Sequence, residues 1–304
     1  MTQPAITLIG APTDIGASVL GASMGPDALR IAGMAQALRA RGLDVIDQGN
    51  LAGPPNPQQL AQDGFRHLIE VTAWNQIVFA AVRAALAGGR LPLLLGGDHC
   101  LAIGSISAVA QHCRQHGKRL KVLWFDAHAD ANTPTTSPSG NLHGMPVACL
   151  LGHGPSSLTA LGGAFALQAE QINLIGVRSV DSAEKRFVNA LGIEVYDMRY
   201  IDEMGVRKTV EQALLDIDDN THLHLSFDMD GLDPDIAPGV STPVRGGPGY
   251  RETQLLMEML ADCGQLGSVD LMELNPARDV RNQTAELAVD LLESLFGKST
   301  LMRA

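Results

Sequence analysis

Short aliphatic runs, each closing on glycine or a polar cluster, recur along the whole 304-residue chain and alternate with longer helix-like stretches. The runs are Ile6–Ala11, Asp44–Gly49, Leu91–Gly97, Lys121–Asp126, Ile172–Val177, Gly192–Asp197, His222–Asp228 and Ser268–Leu274. Several are apolar at nearly every position, as strands covered on both faces must be. Helices are expected over Pro26–Ala40, Gln58–Ala87, Ala102–Gln115, Met204–Ile217, Arg251–Ala261 and Thr284–Phe296. The first opens on Gly-Pro and stops before Gly42, the usual asymmetry of proline at a helix start and glycine past its end. Eight strand signals with interleaved helices imply a parallel α/β sheet. Periodicity alone does not separate an open doubly wound sheet from a closed barrel, and both place their active site at the carboxyl ends of the strands. No linker, charge block or internal repeat interrupts the pattern, so residues 1–304 are expected to form a single domain.

Composition narrows the function classes. Lys and Arg number 22 against 33 Asp and Glu, a formal charge of -11, the opposite of the basic face that a duplex-binding protein needs. An acidic cleft would instead concentrate small cations. No apolar run approaches the roughly 20 residues of a membrane helix, and the opening MTQPAITLIG lacks the basic-then-apolar order of a signal peptide. Cys100, Cys113, Cys149 and Cys263 form no CxxC pair, which argues against a thiolate zinc site and for a reducing compartment. The expectation is a cytoplasmic protein acting on a small molecule, with no nucleic-acid or membrane partner.

The chemistry sits where the strand signals end. Leu91–Gly97 runs into Asp98 and His99. Lys121–Asp126 runs into His128 and Asp130. His222–Asp228 runs into Asp230, Ser268–Leu274 carries Glu273, and Ile172–Val177 is followed by Arg178 and Asp181. If the chain stays extended at Asp126, His128 and Asp130, all three side chains point to one face, and the same holds for Asp228 and Asp230. A lone aspartate after a strand is most often a helix cap, and a lone histidine a satisfied partner in the core. Four carboxylates leaving buried strands together are different, because they repel and take up protons unless cations sit among them. A pair of divalent metals resolves this, and an oxygen-rich set with some imidazole suits Mn(II) better than zinc.

The motifs Gly96–Cys100 (GGDHC), Phe125–Pro134 (FDAHADANTP), Ser139–Pro146 (SGNLHGMP), Ser226–Pro234 (SFDMDGLDP) and Met272–Pro276 (MELNP) resemble the ureohydrolase signatures, those of arginases most closely. The resemblance runs from IGAPTDIG (Ile9–Gly16) to the last helix, and it implies a three-layer αβα sandwich with an open eight-stranded parallel sheet. It further implies two Mn(II) ions ligated by His99, Asp126, His128, Asp130, Asp228 and Asp230. One ion would belong to His99 and Asp130 and the other to His128 and Asp230, with Asp126 and Asp228 bridging. The implied reaction is hydrolysis of L-arginine to L-ornithine and urea by a metal-bridging hydroxide. In that reaction Glu273 orients the guanidinium, Asp130 accepts the hydroxide's proton and His143 shuttles protons. Asn132, Ser137 and Ser139 would bind the α-carboxylate, Asp181 with Glu184 the α-amino group, and Thr242 would also belong to the substrate site. Residues 131–143 are equally the turn formers of an ordinary loop. Agmatine lacks an α-carboxylate, so this loop favours arginine, with another guanidine hydrolase or a non-catalytic metal-binding paralogue as the alternatives. The family also implies a homotrimer or homohexamer.

Some positions depart from the pattern. Leu20 stands where arginases often carry Arg, Cys100 where Ser is usual, and Ser179 where Asp is frequent. The chain stops at Ala304 soon after its last helix-like stretch, so the extended tail of some arginases is expected to be missing. His222 and His224 share a strand face with Asp228 but sit at the far end of the strand, where packing or surface roles are expected. Gly297-Lys298-Ser299-Thr300 mimics the end of a P-loop, but Leu292 occupies the place of the required first glycine.

Overall fold

The computed structural model describes residues 4–299. Thr300 of the P-loop mimic, the chain end at Ala304 and the first three residues of MTQPAITLIG therefore lie outside the described residues. Eight strands form one sheet: β1 (Ala5–Ala11), β2 (Asp44–Asn50), β3 (Leu91–Gly96), β4 (Arg119–Phe125), β5 (Ile172–Ile175), β6 (Glu194–Tyr196), β7 (Thr221–Asp228) and β8 (Leu266–Met272). Every neighbouring pair is parallel, in the order β2-β1-β3-β8-β7-β4-β5-β6. The order runs from one edge strand to the other without closing, so the sheet is open rather than a barrel.

Each face of the sheet carries its own core. Alternating side chains of β3 show why: Leu93 and Leu95 join one cluster and Leu94 the other, and all three are fully buried. The first cluster packs beneath α1 (Gly25–Ile31) and α2 (Met34–Ala40). The second holds α3 (Leu68–Ala87), α4 (Ala102–His116), α5 (Pro146–Leu150), α6 (Ser156–Thr159) and Val188 of α7 (Ser182–Leu191). Helices α8 (Met198–Ala213), α9 (Tyr250–Cys263) and α10 (Gln283–Leu295) return to the first. This is the expected three-layer αβα sandwich.

The helices differ from expectation: α5 and α6 were not expected, and α8 spans Met198–Ala213 rather than Met204–Ile217, with Gly205 at φ 79° inside it. Pro26–Ala40 is two helices, because Gly33 adopts φ 88° between them. Gln58–Ala87 is helical only from Leu68. The earlier part folds back through Gly64 into a bridge between Gln62 and Phe65, and Gln58, Asp63 and His67 all take positive φ. His67 anchors this segment, with Nδ1 at 2.8 Å from the Ile15 carbonyl and Nε2 at 2.9 Å from the Gln59 amide. Helix α7 was not expected. Its first turn is capped by Asp181, whose carboxylate accepts from the Ala183 and Glu184 amides, and its apolar Ala183, Phe187, Val188 and Leu191 recur at helical spacing.

Strand order decides where chemistry can gather. The strands β3, β8, β7 and β4 are consecutive in the sheet though far apart in sequence. Their carboxyl ends bring the segments after Gly96, Met272, Asp228 and Phe125 side by side.

Candidate metal centre and active site

Most of the converging side chains do not come from extended strands. Strand β4 stops at Phe125, and the next five residues form a turn that ends with Asp130 at φ 48°. Asp228 is the last residue of β7, while Asp230 lies in the 3-10 turn Met229–Gly231, capped by the Asp228 carboxylate through the Asp230 amide at 2.7 Å. The period-2 argument therefore assumes a local geometry that the segment after β4 and the Met229–Gly231 turn do not have. Glu273 follows β8 at φ 62°. A left-handed conformation at a non-glycine residue costs roughly 1–3 kcal/mol and persists only where its surroundings impose it. Here the Glu273 amide is fixed to the Gly97 carbonyl at 2.8 Å, and Gly97 has no room for a side chain, since a Cβ would lie 2.1 Å from the Thr13 carbonyl oxygen.

Two groups of ligand-type atoms result, each with all atoms within 4.8 Å of one another: His99, Asp126 and Asp130, and Asp126, His128 and Asp230. Asp126 belongs to both. His99 Nδ1 lies 3.3 Å from Asp126, 3.4 Å from Asp130 and 2.9 Å from Asp228. His128 Nδ1 lies 3.4 Å from Asp126 and 3.2 Å from Asp230. Arg178 is close, but its guanidinium donates to the carbonyls of Gly176, Asp230, Gly231, Leu232 and Val244.

Electrostatics show what this cluster can hold. Burial, and then the charge of Asp126, holds Asp130 well above the usual carboxylate range; burial, Asp230 and Asp126 do the same to Asp228. Burial and Asp126 also raise Asp230. Burial opposes charge on Asp126 too, but hydrogen bonds to His128 and His99 hold it low. Burial likewise works against protonating the two imidazoles, yet the bond to Asp126 and the surrounding carboxylates raise His99 to about 9 and His128 to about 12. Left to itself the cluster collects protons to offset its own negative charge. Divalent cations remove that need, and the donor set of four carboxylates and two imidazoles fits them.

Two residues that sequence reasoning missed hold the metal-type side chains in place. Trp124 donates its indole N–H to Asp126 at 3.0 Å and stacks on His99, with ring centroids 4.1 Å apart and 8° between planes. Ser226 Oγ lies 2.9 Å from His99 Nε2. Each stands two residues before a metal-type carboxylate, Trp124 before Asp126 and Ser226 before Asp228, the signal that could have found them. Trp124→Phe keeps the stacking and removes the N–H bond. Because partners of ligating groups typically contribute about 10–100-fold in metal affinity, it is expected to weaken Mn(II) binding by about tenfold or more, read by equilibrium dialysis. Unchanged affinity would reduce Trp124 to a packing residue.

Glu273 and Thr242 bond directly to residues of this centre, and the other expected site residues lie on the segment after β4 or at the start of α7. Glu273 Oε1 accepts from the His99 amide at 2.8 Å, while its Oε2 is buried with no partner. His143 Nδ1 is 3.8 Å from Glu273, too long for a direct hydrogen bond, and its ring is partly exposed. Buried Asp98 is pushed up to about 6 by burial and by Glu273. Asn132 Nδ2 donates to Asp181 at 3.2 Å, and its Oδ1 is buried without a partner. Ser137 Oγ accepts from the Gly140 amide and Ser139 Oγ from the Asn141 amide, so neither bond uses a hydroxyl proton. Asp181 is at once helix cap and Asn132 partner. Glu184 is buried, accepts from the Ala131 amide at 2.9 Å and is pushed by burial to about 7. Thr242 places its hydroxyl on Asp230 at 2.8 Å, next to a metal-type carboxylate. Of the departures, Leu20 is half exposed, while Cys100 is fully buried and its thiol is raised by burial and Asp98.

An open αβα sheet whose central strand ends gather four carboxylates, two imidazoles and an unpaired buried glutamate oxygen defines a metal-dependent hydrolase of the ureohydrolase class. The family model described as "Arginase family" matches residues 4–297. The arginase of Bacillus caldovelox is 44% identical over 301 residues, covering 97% of this chain and 99% of that protein. The arginase of Bacillus subtilis strain 168 is 43% identical over 298 residues, with the same coverage of 97% and 99%. The solved B. caldovelox structure superposes with a TM-score of 0.92, covering 98% of this chain and 100% of that one. The chain belongs to the arginase family, whose members are binuclear metal hydrolases.

Proposed function

We propose that this protein hydrolyses L-arginine to L-ornithine and urea using two Mn(II) ions. The observation that carries the reading is the orphaned, buried Oε2 of Glu273 beside two ligand groups that share Asp126. Metal-type triads alone suit many hydrolases. A desolvated carboxylate oxygen with nothing to accept from calls for a donor that is always cationic, and a guanidinium is one.

His99, Asp130 and Asp126 would hold one ion, and His128, Asp230 and Asp126 the other, with Asp228 as a further carboxylate donor beside His99. Bound there, the pair supplies a water acidic enough to act as a nucleophile near neutral pH. The other tasks fall to the chain's own residues. Glu273 accepts from the guanidinium N–H groups and fixes the carbon's position, which lowers the entropic part of the barrier. A carboxylate oxygen of Asp130 takes the proton released by the attacking water. Asp130 passes that proton to the leaving nitrogen as its bond to carbon breaks, and the His143 imidazole, beside Glu273 and partly open to solvent, delivers the second proton, giving urea and the ornithine ammonium. Thr242 holds Asp230 in its ligating orientation. Asn132, Ser137 and Ser139 donate to the α-carboxylate, while Asp181, backed by Glu184, accepts from the α-ammonium.

The reading extends to one domain over residues 1–304, since all eight strands share one sheet, and to a cytoplasmic homotrimer or homohexamer. Among the described residues no helix is long and apolar enough to cross a membrane, and the four cysteines are free.

Activity and its basis are tested together. The Mn(II)-loaded protein is expected to release urea from L-arginine and to prefer it over agmatine in kcat/KM. Replacing both Ser137 and Ser139 with alanine removes two donors to a charged group, each worth about 1.5–3 kcal/mol. The arginine kcat/KM should fall at least about tenfold while agmatine turnover stays within about twofold. Equal losses on both substrates would show that the loop does not read the α-carboxylate, and no urea from arginine would overturn the reading itself.

A further inference from the structure

Four of the nine histidines, His112, His116, His222 and His224, gather at the amino end of the sheet, away from the carboxylate centre. His112 and His116 lie one turn apart in the last stretch of α4, and β7 opens beside them with His222 and His224. The spacing i, i+4 puts the first pair on one face of the helix. Their ring centroids are 4.1 Å apart with 32° between planes. His116 Nδ1 is engaged by the His112 carbonyl at 2.8 Å, which leaves its Nε2 for another partner. His112 is half-buried and His116 is exposed.

The third ring closes the group from the buried side. His222 meets His112 edge-on, with centroids 6.1 Å apart and 62° between planes. It is only 6% exposed, and its Nε2 lies 2.9 Å from Ser268 Oγ, leaving Nδ1 as its other nitrogen. Space is made for it by Gly267, where a Cβ would come within 2.4 Å of the ring. Ser268 also meets His224 Nδ1 at 2.8 Å, so His224 is tied inward, toward Asp270 at 3.3 Å.

We infer that His112 and His116 form a second site for a late first-row divalent cation such as Zn(II) or Ni(II), flanked on its buried side by His222 and independent of catalysis. The i, i+4 pair is the arrangement by which a single helix turn offers two imidazoles to one ion. The cation also sits at the carbonyl end of a helix running Ala102–His116, where the backbone dipole favours positive charge. The lone pairs are available: burial, His116 and Lys118 lower His112, and burial with His224, His112 and Lys118 takes His222 down to about 3. The donor chemistry contrasts with that of the strand-end centre. Four carboxylates favour Mn(II), whereas an all-imidazole set favours zinc, nickel and copper. The two sites therefore select different metals from one mixture.

The test uses the full-length untagged protein with its carboxylate centre loaded and excess Mn(II) present, titrated calorimetrically with Ni(II). Wild type is expected to bind one equivalent more than His112→Gln/His116→Gln, whose urea production should be unchanged. His116→Gln alone alters an exposed side chain and does not threaten the fold, and it should weaken that binding at least about tenfold. His153→Gln should leave it as in wild type. Equal Ni(II) stoichiometry and affinity in wild type and the double variant would overturn the inference, as would wild-type affinity in His116→Gln.

Discussion

Asp126→Asn is expected to abolish urea production while the fold survives, because this one side chain belongs to both ligand groups. Each of its two oxygens accepts one hydrogen bond: Oδ1 from the His128 amide at 2.7 Å and Oδ2 from the Trp124 indole at 3.0 Å. An amide matches only one of those donors and turns its NH2 toward the other, leaving a mispaired buried group worth about 1–3 kcal/mol. It also removes the negative charge that two cations would share. The expected loss in kcat/KM is at least roughly a thousandfold, about 4 kcal/mol at the transition state. Metal analysis should show fewer than two tightly held ions. The stability readout separates the roles. Wild type stripped by a chelator should unfold at lower temperature and recover with Mn(II), since an ion at a thousand times its Kd stabilises by about 4 kcal/mol. Asp126→Asn should recover little. Two bound ions and activity within tenfold of wild type would contradict the shared-ligand reading.

The cluster of acids and imidazoles was legible because such residues stand where a strand end would otherwise avoid them. Strand order was not. Nothing in the sequence says that β3, β8, β7 and β4 are neighbours, and only that adjacency turns separate motifs into one site. The backbone at Asp130 and Glu273 was equally hidden, since left-handed conformations are signalled by glycine and asparagine, not by carboxylates held there from outside. Trp124 and Ser226 were visible in principle from the strand period, but an indole reads as core and a serine as neutral. The segment 58–67 reads as helix on its Gln, Ala and Leu content, and is overruled by a tight turn and by the contacts of a single buried histidine, His67.

Glu273→Gln separates binding of the guanidinium from assembly of the metal centre. The variant keeps nearly the same shape and the same left-handed backbone, and its amide oxygen can still accept from the His99 amide in place of Oε1. Its NH2 then occupies the place of Oε2, where it presents a donor to the donors of the substrate. Losing one partner of a buried charge pair costs about 2–5 kcal/mol, so kcat/KM for arginine should fall by roughly 30- to 5000-fold. Metal content should not change, because Glu273 belongs to neither ligand group. Stability should hold or rise, since in the protein without substrate the substitution replaces a buried, unpartnered carboxylate oxygen with a neutral group. The three readouts together distinguish this variant from a general disruption, which would lower melting temperature and metal content along with rate. Near-wild-type kcat/KM would mean that the guanidinium is held elsewhere. The unpaired oxygen of Glu273 would then be an unexplained cost in the middle of the site, beside a backbone already strained to place it.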